Sequence, residues 1–136
     1  MSKWLHVAGV LRVDDLRILQ EDINFEEVIG KTLTFDDIWE GTPMYSEFKA
    51  DPSKFLPLGS EGSLQMSVWK NPDMHTTAAY TVSIFGDLRD CTDCNAIITW
   101  FQDIVTSKNL LIRQAVITVE NETDPAVTWT AFVEKD

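Results

Sequence analysis

Cysteine is nearly absent. The chain of 136 residues has two, Cys91 and Cys94. That is too few for a disulfide-stapled scaffold, and a chain of this length can build a core without staples. Histidine is equally scarce, with His6 and His75 alone. Basic residues are few: 11 Lys and Arg stand against 22 Asp and Glu, a formal net charge of −11. A chain so short of cations is poorly suited to gripping nucleic acid phosphates or anionic membranes. No apolar run approaches the roughly 18 residues of a membrane-spanning helix. Met1–His6 carries one cation and no long apolar stretch before Arg12 and Asp14. A secretory signal is therefore not expected, and a cytoplasmic protein is.

What is present suits folding. Hydrophobic residues make up 44% of the chain and charged residues 24%. These are the proportions of one globular domain over residues 1–136, not of a disordered tail. Residues 3–13 alternate as a strand, with Leu5, Val7, Gly9, Leu11 and Val13 on the apolar, core-directed side. Asp14 and Asp15 then suit a helix N-terminus, and Leu16, Leu19 and Ile23 begin an imperfect helical stripe toward Gly30. Residues 31–63, with three prolines and three glycines, form a long irregular insertion. Tyr45, Phe48, Phe55 and Leu56 are its expected anchors.

The second half is more regular. Residues 64–70 and 78–86 read as a hairpin around Asn71-Pro72-Asp73, and Gly86–Asp90 as a loop. Ile97, Ile98, Phe101, Ile104 and Val105 fall on one stripe of a helix over 92–107. Residues 110–120 predict a strand with Leu111, Arg113, Ala115, Ile117 and Val119 on one side, followed by a last strand from Val127. The expected fold is α+β: a ferredoxin-like antiparallel sheet, two helices on one face, an added C-terminal strand and the insertion. If Trp4, Trp69 and Trp129 share a sheet face, that face is expected to be covered by the insertion, another subunit or a partner.

Few groups carry a chemical signature. Cys91-Thr92-Asp93-Cys94 places a C-x-x-C at a helix start, where a thiolate would be stabilised. Asp90 and Asp93 oppose that, and two histidines far apart in sequence offer little for zinc. Two small residues opening a helix is the preferred explanation. His75 sits in the hairpin loop without a nucleophile motif, and His6 belongs to a strand face. Gly59–Ser63 lacks the lysine and following helix of a phosphate cradle, so a strand-entry turn is expected. No cofactor or metal is expected.

Negative charge is concentrated. Residues 14–51 hold eleven acids and three bases, a net −8. The carboxylates Asp14, Asp15, Glu21, Asp22, Glu26, Glu27, Asp36 and Asp37 form adjacent pairs. Neighbours on a helix diverge by about 100°, so a solvated acidic face is more reasonable than a converging catalytic pair. Asp87, Arg89 and Arg113 make a second candidate set. Arg89 lies between acids in the loop after a strand, and Arg113 on the next strand could join it.

The runs Gly59-Ser60-Glu61-Gly62-Ser63-Leu64, Asn71-Pro72, Tyr80-Thr81-Val82-Ser83-Ile84-Phe85-Gly86-Asp87-Leu88-Arg89-Asp90 and Trp100-Phe101 resemble small uncharacterised proteins of bacteriophages and prophages. The resemblance covers the middle third of the chain and implies a phage or mobile-element origin. Such small acidic proteins are similar in size and charge to inhibitors of bacterial defence systems, including anti-CRISPR proteins. No catalytic residue is carried over. The leading expectation is a non-enzymatic protein that inhibits a host nucleic-acid-binding defence protein by docking its acidic block on a basic surface. The alternative is a nucleotide-signal binder formed at a homodimer interface around Arg89 and Arg113. A redox protein using Cys91 and Cys94 ranks third.

Overall fold

The central strand is the first one. In a computed structural model, which describes residues 3–15, 22–33, 39, 41–42, 44–73, 78–90, 94–107, 110–122 and 125–132, β1 spans Trp4–Asp15. It is followed by α1 (Phe25–Val28), α2 (Tyr45–Ala50), a 3-10 turn (Pro52–Lys54), β2 (Gln65–Lys70), β3 (Ala78–Arg89), α3 (Cys94–Ser107), β4 (Leu111–Asn121) and β5 (Val127–Phe132). The strands form one antiparallel sheet in the order β2-β3-β1-β4-β5. The protein is thus α+β, with few helices.

Alternation decides which side of the sheet is buried. Leu5, Val7, Leu11 and Val13 of β1 join Tyr80, Val82, Ile84 and Leu88 of β3 and Ala115, Ile117 and Val119 of β4 in the core. The stripe Ile97, Ile98, Phe101 and Ile104 lays α3 on this side. Phe25, Ile29, Leu56 and Leu64 complete the same cluster from the segments between β1 and β2. The described residues of 31–63 are held by short elements: α2, the 3-10 turn, and the bridges Lys31–Phe55 and Leu58–Ser63. Phe55 and Leu56 are buried anchors, with Phe48 edge-on to Phe55.

Four local expectations are corrected. Asp14 and Asp15 are strand residues that end β1, opposite Ala79 and Ala78 of β3. Strand pairing on that side outweighs their capping tendency, and the first helix among the described residues is α1, where the Asn24 side chain accepts from the Glu27 amide. Residues 86–89 are strand rather than loop. They pair with Val7 to Trp4, and the Gly59–Ser63 turn supplies further backbone partners. In β4 a register shift opposite Arg12/Val13 breaks the alternation, so Leu111 and Arg113 are exposed while Ala115, Ile117 and Val119 are buried. Finally, Trp129 does not share a face with Trp4 and Trp69. It packs on the core side, its ring edge-on to Phe101 at 5.9 Å.

Candidate functional site

Within the acidic block, Asp14 and Asp22 are individually engaged. Asp14 lies 3.7 Å from the Arg113 guanidinium, and Asp15 is buried. Asp22 Oδ1 accepts from Lys70 Nζ at 2.6 Å and from the Tyr80 hydroxyl at 3.2 Å. These contacts tie the chain ahead of α1 to the edge of the sheet, and the ring of Phe25 stacks edge-on against Tyr80 at 5.2 Å. The Lys70 ammonium holds Asp22 below its ordinary pKa, and Asp22 in turn raises Lys70. Burial pushes the Tyr80 phenol up. Glu26 and Glu27, by contrast, stand exposed in the first turn of α1, which carries no basic residue. Glu21, Asp36 and Asp37 lie outside the described residues.

The second candidate set does not converge. Arg89 stands opposite Trp4 at one end of β1. Arg113 lies beside the Arg12/Val13 shift at the other. Nine residue steps along β1 separate Trp4 from Val13, about 30 Å at 3.3 Å per residue. Within one chain the two guanidiniums cannot hold the same small ligand. Arg89 is engaged locally: its Nη1 donates to Glu61 Oε1, its amide to the Glu61 carbonyl, and its carbonyl accepts from the Ser60 amide. The Ser60 hydroxyl donates to Asp90. Gly59–Ser63 is therefore a brace on the end of β3.

Asp87 belongs to a different group, one that sequence reasoning missed. His6 Nδ1 and Asp87 Oδ1 are 2.6 Å apart on the solvent-facing side of the sheet. Glu122 is 3.9 Å from His6 Nε2 and accepts from the Trp4 amide, while Glu120 lies directly across from His6 on β4. The Asp87 hydrogen bond raises the His6 pKa, partial desolvation opposes it, and the charges of Asp87, Glu122 and Glu120 add to the rise. The signal was the polar alternation at His6, Glu120 and Glu122. Only strand register shows that these positions meet.

That solvent-facing side is laid out in registered rows. Phe85, Ala8, Thr118 and Thr128 form one; Ser83, Val10, Val116 and Thr130 form the next. The Thr118 and Thr128 hydroxyls are 3.3 Å apart across the strands. Trp69, Thr81, Arg12 and Gln114 follow. Charge lies at the two ends and the rows between are uncharged.

A groove of about 430 Å³ separates α3 from the 48–58 segment, lined by Phe48, Pro52, Phe55, Trp100 and Asp103 among others. Its size and apolar walls would suit a small ligand or side chain, but among the described residues Asp103 is its one ionisable lining group. A single carboxylate does not make an acid–base pair. Cys94 is half-buried at the start of α3 against the core; Cys91 and His75 lie outside the described residues. Among the described residues no three His, Cys, Asp or Glu side chains group as a metal set, and no helix is long and apolar enough to cross a membrane. Comparison with protein-family models, with curated proteins and with solved structures found no match.

Proposed function

We propose that this protein is a non-enzymatic interaction module that docks on a basic protein surface through exposed carboxylates of its N-terminal half. The observation that carries this is the pair Glu26 and Glu27, exposed on α1 with no cation in the helix. Their neighbour Asp22 keeps a 63% exposed side chain although paired to Lys70, so it still faces an incoming partner. Carboxylates of this kind steer encounter and confer salt dependence, while nearby apolar groups set residence time. The partner class is a protein that holds nucleic acid in a basic groove. An inhibitor of a host defence protein is the form of this reading that the likeness to phage proteins adds. The sheet order supports a ferredoxin-like layer extended by β5, with residues 31–63 as its insertion.

The test is capture from extract of the source cell, with the protein immobilised. Basic nucleic-acid-binding proteins are expected, released by salt and displaced by competing nucleic acid. The double reversal Glu26→Lys, Glu27→Lys should weaken capture about tenfold or more at low salt. Capture indifferent to that reversal and to nucleic acid would overturn the proposal.

A further inference from the structure

We infer that the open face of the sheet is a self-complementary surface that pairs two copies of this chain, stacked with their strands running in opposite directions. The face has a gradient of chemistry. At one end are Asp87, Glu120 and Glu122 around His6; toward the other is Arg12, exposed and without an ion pair among the described residues. Between them lie Ala8, Val10, Ser83, Phe85, Val116 and Thr118, none charged. Phe85 is 45% exposed and Trp69, on the same side, 56%. An uncovered aromatic on an uncharged belt, with a second in the Arg12 row beside it, marks a surface that gains by being buried.

Geometry selects a second copy as the occupant. A two-fold axis lying in the interface across the strands, level with Gly9, places position 8 over position 10 and position 6 over position 12. The uncharged belt then meets itself. Each Arg12 lands on the other copy's His6, between Asp87 and Glu120. Such an interface is isologous and closes at two copies. Sheets stacked this way pack about 10 Å apart with aligned strands. Five strands spaced ~4.8 Å and about eight residues of length present roughly 600 Å² per copy, near 1,200 Å² in total, the lower bound of a stable interface. The net charge of −11 on each copy opposes the association, so the belt and the Arg12 contacts must outweigh it. This surface is separate from Glu26 and Glu27, and its failure would leave the proposed docking untouched.

Sedimentation of the full chain at about 100 μM, where an interface of this size is well populated, should give twice the 15.4 kDa of one chain. Ala8→Lys and Val10→Lys, each checked for folding by circular dichroism, should return the protein to one copy. Arg12→Glu should weaken pairing at least tenfold, and adding Asp87→Arg should recover much of that loss. A single copy at that concentration overturns the inference. So does a dimer indifferent to Ala8→Lys and Val10→Lys, which would point to pairing through the edge strands β2 or β5. A double variant no tighter than Arg12→Glu overturns the opposed stacking.

Discussion

Gly9 and Phe101 share one site. A Cβ built at Gly9 would lie 3.4 Å from Cε1 of the Phe101 ring and 3.3 Å from Cγ1 of Ile117. The missing side chain in the central strand is what lets the α3 ring approach the sheet, where Trp129 also packs edge-on to it. Phe101 is fully buried. Glycine in a strand costs entropy and packing, and here the cost is offset by that ring contact.

Gly9→Val should therefore destabilise by about 1–3 kcal/mol through overpacking, and Phe101→Ala by about 3–5 kcal/mol through the cavity it leaves. The informative cycle is Gly9→Val, Phe101→Leu and the two combined, beside the unaltered protein. Because the two sites touch, the loss in the combined variant should be smaller than the sum of the losses in Gly9→Val and Phe101→Leu alone. Urea denaturation of all four proteins measures this; strict additivity would show that the ring does not occupy the space at Gly9.

Gly62 braces the end of β3. Its φ of +78° lies in the left-handed region, and a Cβ there would collide with the Asp87 carbonyl oxygen. Gly62→Ala should cost about 2 kcal/mol or more, since strain and backbone collision act together. Gly41 provides the comparison, with φ of +95° and no atom within 4 Å of a built Cβ. Gly41→Ala should cost less, because strain acts alone. Equal midpoint shifts in urea would mean that the turn moves away from β3 without penalty.

His6 and Asp87 give the sheet a pH dependence of known sign. The pKa of His6 is raised above its ordinary 6.5, chiefly by the Asp87 hydrogen bond. A raised cationic pKa means the folded protein binds the proton more tightly than the unfolded chain. The stabilisation is fully present below pH 6.5 and is lost as pH rises through the folded-state value. With the side chain 46% exposed, solvent screening keeps the effect small. NMR titration should place His6 above 6.5, and Asp87→Asn should bring it back toward that value. An unchanged midpoint in Asp87→Asn would sink the assignment. Asp22 has the opposite sign: its stabilisation, present at neutral pH, is lost as pH falls through its lowered pKa.

The sequence by itself determined the α+β class, the core face of β1, the β2–β3 pairing and the buried stripe of α3, because periods of two and 3.6 residues are written locally. It also set the charge excess in residues 14–51. Tertiary structure decided where that local grammar stopped. Asp14 and Asp15 became strand because β3 and β4 were there to pair with them. Arg113 was turned off the core face by a bulge that only a partner strand defines. Asp87 met His6 rather than Arg113 because register, a property of two chain segments far apart in sequence, chooses the neighbours of every strand residue. The open face and its graded charge follow from the same cause: each residue's side was legible in one strand, but the rows they form exist only once five strands are aligned.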